Sequence, residues 1–300
     1  MNIVILSKSR KNYSTQRLVE EAELRGHNVR VVNYAKCYIT LERNNPIVNY
    51  LGEVIEDVDA IIPRIATNLT KYGSAIVRQF EMQNVFTSTS SIAIVRARDK
   101  LRSSQLLAKA GVGIPKTVFA RETADYEGVL EQVGGAPVII KVARGTHGTG
   151  VVLAETRKAA LAVMQAFNVE EVSFLVQEFV AESAGSDIRA FVVNGKVVAS
   201  MMRKSSDGDF RSNLHQGGQG VTVKLTDEER KTAQKAAKAI GLTIAGVDML
   251  RSDRGPLVLE VNASPGFGIE QVTGRNVAAS IIEYTEQTAK TGRRKDRVGA

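Results

Sequence analysis

The sequence predicts an α/β protein of about two domains, and three observations support this prediction. Apolar strand-like runs alternate with helix-like segments over roughly the first 90 residues, which favours a parallel sheet covered by helices on both faces. From Asp99 onward the pattern changes to strands that pair locally, including one hairpin whose turn is the dipeptide Asn194-Gly195. The chain has 300 residues and is 43% hydrophobic, so it can bury ordinary cores.

The first region is predicted to begin with a short apolar strand, Asn2–Leu6. Ser14 or Thr15 is expected to cap a helix that Gly26 ends. The loop after the first strand, residues 7–12, contains no glycine, so the fingerprint of dinucleotide-binding domains is missing where it should lie. We therefore expect a Rossmann-like layout without a dinucleotide site. Further strands are predicted over 28–34, 58–62 and 85–86, and a helix over 74–83.

The second region is predicted to start with a helix over 100–110 that Asp99 caps. A later amphipathic helix, Asp227–Ile240, is expected to have Thr226 as its cap. The polar segment 205–220 is expected to form a loop. Strands are predicted over 117–120, 138–143, 151–154, 174–180, 187–193 and 196–202, and further helices over 157–167 and 277–289.

The run that contains Glu260 and Asn262 carries the strongest sign of a functional site. These two residues are two positions apart and share one face of a strand, whereas Val261 points into the core. If the hairpin with the preceding strand centres on Arg254, Asp248 lies directly opposite Glu260. Carboxylate and amide oxygens without a nearby His or Cys suit a hard ion, Mg²⁺ or Mn²⁺. A solvated polar face that happens to alternate is the alternative interpretation.

A candidate nucleotide site begins at the glycine-rich loop that follows Lys141. Glycines let backbone N–H groups approach phosphate oxygens closely, and Lys141 is placed to act as a point charge on phosphates. It is not a Walker loop, because no helix opens after it, and a plain flexible hairpin is the alternative. The strand at 175–180 could line an adenine slot, since strand backbone can read the edge of the base. The glycines concerned are Gly145, Gly148 and Gly150.

Further charged residues lie in the strands and the polar loop that follow. Asp187 and Arg189 place a carboxylate and a guanidinium on one strand face. Arg203, Arg211 and Asn213 lie in or beside the polar loop, and arginine is a natural clamp for phosphate and carboxylate. Taken singly, each of these charges could also be an ordinary surface residue.

Composition and charge limit the kinds of partner and the cellular compartment that are expected. The formal net charge is +8 and the pI about 9.5, which favours an anionic partner. A single cysteine, Cys37, excludes a disulfide framework, and three histidines cannot complete a zinc site of the usual ligands. No segment approaches the ~20 apolar residues of a membrane span, so a cytoplasmic protein without a membrane partner is expected. Sparse aromatics, 5% of residues, argue against direct nucleic-acid binding, and the basic tail 290–300 is expected to be disordered.

Together these motifs resemble those of the ATP-grasp ligases, and their residues are most similar to those of the RimK-type branch. The elements, in order, are Arg98-Asp-Lys100, Lys141 with its glycine loop, Gln177-Glu-Phe-Val180, Asp187-Ile-Arg189 followed by Arg211-Ser-Asn213, and Asp248 with Glu260-Val-Asn262-Ala-Ser-Pro-Gly266. The resemblance implies an ATP-grasp fold behind a Rossmann-like pre-grasp domain. The implied parts are a pre-grasp domain over 1–97, a central subdomain with the glycine loop over 98–180, a C-terminal subdomain with the metal site over 181–289, and the basic tail over 290–300.

The resemblance also implies a role for each candidate residue. Lys100 and Lys141 would hold the phosphates of ATP, with the glycine loop folded over them. The adenine and ribose pocket would involve Glu178, Phe179, Val180, Asp187 and Arg189. The ligands of Mg²⁺ or Mn²⁺, with two ions expected, would be Asp248, Glu260 and Asn262. The groups that meet ATP and the transferring phosphate or an acyl phosphate would be Arg203, Arg211 and Asn213.

RimK-type ligases join amino acids, typically glutamate, to the carboxyl ends of proteins. The expected partners are therefore ATP, L-glutamate and an acidic protein tail, with small-subunit ribosomal protein six as the acceptor that the resemblance suggests; a homo-oligomer is left open. The expected reaction forms an acyl phosphate and then an amide. Two alternatives stay open here: a ligase acting on a small metabolite or an amino-group carrier protein, and a non-catalytic ATP-binding regulatory module, against which the complete set of metal ligands argues.

Overall fold

The fold was examined in a computed structural model, which describes residues 1–121, 123–142, 150–183, 185–205 and 219–291. Within these residues the chain forms four β-sheets flanked by helices. The mixture of one parallel sheet and locally paired antiparallel strands confirms the predicted α/β class. None of the helices in these ranges is long and apolar enough to cross a membrane.

The N-terminal region is built around a parallel sheet with strand order β2-β1-β6-β7. The chain moves from the central strand β1 to one side and then returns to the other, so β1 and β6 are neighbours whose connections leave in opposite directions. Such a switch point creates a crevice at the carboxyl ends of the two strands. In chain order the elements are β1 (Asn2–Leu6), α1 (Tyr13–Leu24), β2 (Asn28–Val32), β3 (Cys37–Glu42), β4 (Asn45–Tyr50), β5 (Glu53–Val54), β6 (Ala60–Pro63), α2 (Thr70–Met82), β7 (Phe86–Thr87) and α3 (Ser91–Arg98).

Helix α1 does not begin where the sequence predicts. Its N-cap is Asn12, whose side chain makes no capping hydrogen bond, so the expected cap at Ser14 or Thr15 is wrong. Both hydroxyls serve tertiary contacts instead: the Thr15 hydroxyl bonds that of Ser7 at 2.8 Å, and the Ser14 hydroxyl accepts a bond from Arg64 at 3.0 Å. A local sequence pattern does not show that a hydroxyl group has a hydrogen-bond partner elsewhere in the fold, which competes with helix capping.

The antiparallel sheet β3-β4-β5 was not predicted from the sequence. Its main hairpin turns at Arg43-Asn44, and Asn44 has a positive φ of 61°. That dipeptide is a weaker turn signal than Asn-Gly, so the sequence offers little to mark the hairpin. A smaller difference from the prediction lies before this hairpin. Strand β2 ends at Val32, two residues earlier than expected, because residues 34–36 form a 3₁₀ turn.

The rest of the chain contributes two antiparallel sheets, with orders β10-β9-β11-β8 and β14-β13-β12-β15-β16. Every predicted strand and helix of this region is present, with ends within a few residues of the prediction. The elements are α4 (Lys100–Lys109), β8 (Thr117–Ala120), α5 (Tyr126–Gln132), β9 (Val138–Val142), β10 (Val151–Ala154), α6 (Arg157–Val169), β11 (Phe174–Glu178), β12 (Ser186–Val193), β13 (Lys196–Lys204), β14 (Gln219–Thr222), α7 (Asp227–Ile240), β15 (Ile244–Leu250), β16 (Leu257–Asn262), α8 (Gly268–Thr273) and α9 (Val277–Ala289).

Local signals explain why these elements start and turn where they do. The Asp99 carboxylate accepts the Arg102 N–H at 3.0 Å and caps α4, as predicted. Thr226 and Glu229 form a reciprocal capping box at the start of α7. The turn between β12 and β13 uses Asn194 and Gly195, with φ of 48° and 74°, which is the geometry that an Asn-Gly hairpin requires.

The closing helix joins the two regions into one packed unit. Ile281 and Ile282 of α9 share a hydrophobic core with Leu18 and Val19 of α1. An ion pair between Arg17 and Glu270, at 3.0 Å, links the same two regions next to that core. These contacts hold the carboxyl edge of the N-terminal sheet against the loop that follows β16.

Candidate active site

The hairpin of β15 and β16 brings the predicted metal ligands together. Asp248 is paired directly with Glu260 in the strand register, as the sequence predicts, and Val261 is buried in the core. The Asn262 side-chain amide donates to Glu260 Oε1 at 3.0 Å and lies 3.5 Å from Asp248 Oδ2. The three side chains therefore converge on one face of the sheet.

Asp248 is buried, 2% exposed, and its charge is neutralised by two guanidinium groups. Arg189 binds it in a bidentate manner, with Nε–Oδ1 and Nη2–Oδ2 distances of 2.7 and 2.5 Å. Arg203 Nη2 lies 3.0 Å from the same Oδ2 atom. Burial alone would raise the pKa of Asp248, but the attraction of Arg189 and Arg203 outweighs it and holds the pKa well below its usual range.

Arg203 also pairs with Asp187, directly opposite it across β12 and β13. Both residues are buried, and Arg203 Nε donates to Asp187 Oδ1 at 2.7 Å. Four charged side chains thus alternate in sign beneath the site, and we call them the ion network: Asp187, Arg203, Asp248 and Arg189. Because Arg203 is 3% exposed and directed at two carboxylates, its contact with a transferring phosphate stays a prediction.

Glu260 lies in a different electrostatic setting. It is exposed, and among the described residues it forms no ion pair. Its charge nevertheless raises the pKa values of Arg189, Arg98, Lys100 and Lys141 against the lowering effect of their burial. Arg189 is paired with Asp248, but within the described residues the other three cations pair with no carboxylate.

Lys100 and Lys141 lie at the end of β9, where the glycine loop begins. Lys141 Nζ donates to Gln177 Oε1 at 2.8 Å, and Lys100 Nζ donates to the Val142 carbonyl at 3.2 Å. Burial, with help from the like charge of Lys100, lowers the pKa of Lys141 to about 8 although Glu260 opposes the shift. The structure therefore brings together the two ammonium groups that were predicted to meet phosphates.

The end of the predicted glycine loop is visible at Gly150. Its φ is 78°, and a Cβ atom there would lie 2.5 Å from Val142 Cγ2, so a side chain is excluded by both backbone conformation and space. The Val142 N–H donates to the Gly150 carbonyl at 3.0 Å and closes the base of the loop. Four other predicted site residues lie outside the described residues: Gly145, Gly148, Arg211 and Asn213.

The predicted adenine segment follows β11. The Glu178 carboxylate accepts the Lys116 backbone N–H at 2.7 Å and pairs with Arg254 at 2.6 Å. Phe179 is partly exposed, whereas Val180 is buried. The segment lies beside the site, and its contact with adenine and ribose stays a prediction.

Family models match nearly the whole chain. The RimK-like ATP-grasp domain matches residues 97–285, and the RimK PreATP-grasp domain matches residues 1–94. The chain belongs to the RimK-type ATP-grasp family. Relatives from Aliivibrio fischeri and Picosynechococcus sp., each named "Probable alpha-L-glutamate ligase", are 54% identical to it over 99% of both chains. As a family member, the chain is an ATP-dependent carboxylate–amine ligase with the ATP-grasp fold that its motifs resemble.

Solved structures agree with this fold at low sequence identity. The ATP-grasp ligase PsnB, solved with a phosphomimetic variant of a minimal precursor, Mg and ADP, has a TM-score of 0.72 and 19% identity over 95% of this chain and 97% of that chain. A RimK domain protein from Sphaerobacter thermophilus gives 0.71 and 18% over 95% and 100%. D-alanine–D-alanine ligase from Bacillus anthracis gives 0.66 and 15% over 97% and 98%.

The ligands predicted for a metal fit a hard divalent cation. Their oxygen-bearing side chains already touch one another through the Asn262 amide, and they supply no nitrogen or sulfur ligand of the softer kind. Within the described ranges no group of three or more His, Cys, Asp or Glu residues could hold a metal. The predicted donor set, two carboxylates from Asp248 and Glu260 and one amide from Asn262, stays a prediction.

The sequence analysis assigned no role to three residues that help to build this site, although one of them, Arg98, belongs to a motif of the resemblance. Arg64 and Arg98 lie where the N-terminal sheet meets the loop after β16, and both contribute positive charge. A signal for Arg64 was available, because it directly follows a parallel strand and ligands bind at the carboxyl ends of such strands. Gly246 is opposite Asn262, and a Cβ atom there would lie 2.8 Å from Pro265 Cβ, so its lack of a side chain admits the loop.

Proposed function

We propose that this ligase adds glutamate to the C-terminal carboxylate of a protein through an acyl phosphate intermediate. The observation that carries the proposal is a group of three cations near Glu260, namely Arg98, Lys100 and Lys141. Within the described residues they pair with no carboxylate, so they can accept anionic substrates. Relatives 54% identical to the chain carry the name alpha-L-glutamate ligase, which supports glutamate as the incoming amino acid. The same proposal gives this enzyme a cytoplasmic location.

The cations and the glycine loop are proposed to bind ATP. Lys100 and Lys141 would contact its phosphates, since both ammonium groups lie at the entrance to the loop. Strand β11 and the residues after it would line the adenine and ribose pocket. Further contacts with ATP or the transferring phosphate are assigned to Gly145, Gly148, Gly150, Glu178, Phe179, Val180, Asp187, Arg189, Arg203, Arg211 and Asn213.

Asp248, Glu260 and Asn262 are proposed to hold Mg²⁺ or Mn²⁺, with two ions per chain. A bound divalent ion would supply neutralisation of the charge that develops on the phosphates. In addition to their assigned contacts with ATP or the transferring phosphate, Arg189 and Arg203 would fix Asp248 as an ionised carboxylate in one orientation.

The reaction is proposed to proceed in two steps. An oxygen of the acceptor carboxylate attacks the γ-phosphorus of ATP, a P–O bond forms, and ADP departs. The amine of glutamate then attacks the acyl carbon, the C–O bond to phosphate breaks, and an amide and inorganic phosphate are formed with loss of a proton from nitrogen. Positioning and charge neutralisation suffice for both steps, so no covalent nucleophile of the protein is required.

The acceptor is proposed to be an acidic protein tail, namely that of small-subunit ribosomal protein six. The net charge of +8 favours such a partner, because opposite charge speeds encounter. PsnB, a structural neighbour of the same fold, has been solved with a precursor peptide, so the architecture admits a peptide substrate.

Intact-mass spectrometry tests the substrate class. The enzyme is incubated with ATP, Mg²⁺, glutamate and candidate acceptors that include ribosomal protein six and a tail-truncated version of it. We expect mass increments of one or more glutamyl residues on the intact acceptor and none on the truncated one. The Glu260→Gln variant serves as the inactive control. Glutamate ligation to a free metabolite, with no change in any protein, would overturn the proposed acceptor.

Hydroxylamine tests the intermediate. Added in place of glutamate, it should trap a hydroxamate on the acceptor carboxylate and sustain the release of ADP. Release of AMP and pyrophosphate would instead identify an adenylate and contradict the proposed chemistry.

A further inference from the structure

Arg64 occupies the position at which the N-terminal sheet is best suited to bind a ligand. It directly follows β6, at the carboxyl edge of the switch point between β1 and β6. Open α/β sheets bind ligands in the crevice at this point. The region carries no dinucleotide fingerprint after β1, so a different ligand must be sought for the crevice.

Neutral groups hold the Arg64 guanidinium in place. Its Nη2 atom donates to the Ser14 hydroxyl at 3.0 Å and to the Pro265 carbonyl at 2.6 Å, and its Cζ atom lies 4.9 Å from the centre of the Phe267 ring. Within the described residues no carboxylate pairs with it. Burial and the like charge of Arg98 lower the pKa of Arg64 to about 10, which keeps it charged at neutral pH.

Arg98 follows Arg64 in this part of the fold, and neutral groups also hold its guanidinium in place. Its Nη2 atom donates to the Ile65 carbonyl at 2.9 Å, and its Nη1 atom donates to the Thr67 hydroxyl. Its Nε atom is buried and has no hydrogen-bond partner, and in the part of the chain that the structure describes it forms no ion pair. Two adjacent, partly buried guanidinium groups that contact no carboxylate within the described residues are stabilised when an anion binds between them.

Arg64 and Arg98 belong to a set of four cations, the row of cations, whose other members are Lys100 and Lys141. The Glu260 charge raises the pKa values of Arg98, Lys100 and Lys141, whereas the charged neighbour that acts on the pKa of Arg64 is Arg98. The loop after β16 contacts Arg64, but Lys141 is held on β9 beside the glycine loop, so the two cations are held by different parts of the chain. A substrate group bound at Arg64 therefore meets other residues than the phosphates do.

We infer that Arg64 and Arg98 bind a carboxylate of the incoming amino acid, which deepens the proposed function and rests on it. Arginine matches a carboxylate with two parallel hydrogen bonds, and the fixed backbone and hydroxyl contacts pre-organise both side chains. Glutamate carries two carboxylates that do not react. Binding one of these carboxylates to Arg64 and Arg98 would direct the amine of glutamate toward Glu260 and the activated acyl group.

The reacting carboxylate of the acceptor fits this position less well. It must reach the γ-phosphate, which is assigned to Lys100 and Lys141 at the end of β9. A carboxylate neutralised by two guanidinium groups is also a weaker nucleophile, because its charge is already engaged. The pair is therefore assigned to the amino-acid substrate and serves specificity for it.

Steady-state kinetics of the full-length enzyme tests this assignment with Arg64→Lys, Arg98→Lys and Arg64→Gln. We expect the KM for glutamate to rise roughly 10- to 100-fold, because a charged hydrogen-bonded contact is lost. The KM for ATP and the release of ADP with hydroxylamine, which needs no glutamate, should change less than about threefold. The matched control is Arg10→Gln, since Arg10 is exposed and, in the part of the chain that the structure describes, its one ion pair is with Glu23. Melting temperature and nucleotide binding verify that each variant is folded.

Analogues of glutamate decide which carboxylate is bound. γ-Aminobutyrate lacks the α-carboxylate and glutamine lacks the side-chain carboxylate. The wild-type enzyme should discriminate against one of them, and Arg64→Gln should abolish that discrimination. An unchanged glutamate KM in folded Arg64→Gln and Arg98→Lys variants, or a rise in the acceptor KM instead, would overturn the inference. A wild-type enzyme that ligates no glutamate at all would refute the proposed function itself, so the two failures are distinguishable.

Discussion

The ion network and the row of cations are two charged regions of one site, and they differ in how their charge is balanced. In the network, Arg189 and Arg203 are paired with carboxylates that lie opposite them on neighbouring strands. In the row, Lys141 and Arg98 contact amide, hydroxyl and carbonyl oxygens, and no carboxylate pairs with either within the described ranges. We expect the ion network to stabilise the fold without a ligand. The row of cations is expected to gain its counter-charges when anionic ligands bind.

The largest expected effect is a difference between substitutions of the two facing carboxylates, Glu260 and Asp248. Glu260→Gln should lower turnover by ~10²–10³, the usual loss for one electrostatic stabiliser, and leave the free energy of unfolding within about 0.5 kcal/mol. Asp248→Asn should lose activity too, but it removes the carboxylate partner of Arg189 and one of the two carboxylate partners of Arg203, so it should lower the free energy of unfolding by about 3–5 kcal/mol. Urea unfolding and initial rates measure both quantities. Equal losses of stability in the two variants would contradict the distinction.

The second prediction concerns pH. Because the pKa of Lys141 is lowered to about 8, its ammonium group loses its proton as pH rises through 8, and the free enzyme should bind ATP about tenfold more weakly at pH 9 than at pH 7. The buried charge also destabilises the free protein below pH 8, so the stability contribution of this group should rise between pH 8 and its ordinary pKa.

Lys141→Arg is the matched control for the pH effect, since arginine stays charged throughout this range. Calorimetric titration with ATP at several pH values measures the difference. The same pH dependence in wild type and Lys141→Arg would mean that another group, or the nucleotide itself, is responsible.

The third prediction concerns the contact between the two regions of the fold. Gly246→Ala places a Cβ atom 2.8 Å from Pro265 Cβ, so the loop whose carbonyl holds Arg64 must move. We expect a loss of about 1–3 kcal/mol in the free energy of unfolding, as for overpacking, and a higher KM for glutamate. Gly266→Ala is the control, because no atom lies within 4 Å of a Cβ there. Identical behaviour of the two variants would show that the loop tolerates the methyl group.

The smallest expected effect concerns long-range charge. An acidic acceptor should bind more weakly as salt rises, by less than about tenfold, because steering is screened over ~10 Å at 0.1 M salt. ATP, held at short range, should respond less. Deletion of residues after Lys290 should reduce the salt dependence of the acceptor KM. Superimposable curves for full-length and truncated enzyme would mean that the tail takes no part in docking.

The pair of Asp248 and Glu260 was predicted only in part from local information. Alternation places Glu260 and Asn262 on one face, but the ladder next to the turn, where Leu250 pairs with Leu257, would place Leu259 opposite Asp248. A bulge beside Asp248 shifts the register by one residue and brings Glu260 there. The resemblance to RimK-type proteins then extended this local result to the fold and the class of reaction. The same reasoning placed Asp187 and Arg189 on one face.

The pairing of Asp187 with Arg203 could not be predicted in this way. The Asn194-Gly195 turn alone would place Met202 opposite Asp187, but a bulge between Phe191 and Val192 shifts the register by one residue and brings Arg203 there. No residue pattern marks that bulge. The roles of Arg64 and Arg98 were hidden for a different reason, since their contacts exist only after the two regions pack together.

One comparison tests the central claim most directly: the free energy of unfolding and the ATP dissociation constant of Arg203→Met and Lys141→Met. Removing a cation from the ion network should lower the free energy of unfolding by about 3–5 kcal/mol, because two buried carboxylates, Asp187 and Asp248, each lose one guanidinium partner. Removing a cation from the row should weaken ATP binding and leave the free protein equally stable or more stable, since burial disfavours the Lys141 charge more than Glu260 favours it. A Lys141→Met protein that is strongly destabilised, or an Arg203→Met protein that is as stable as the wild type, would contradict the account.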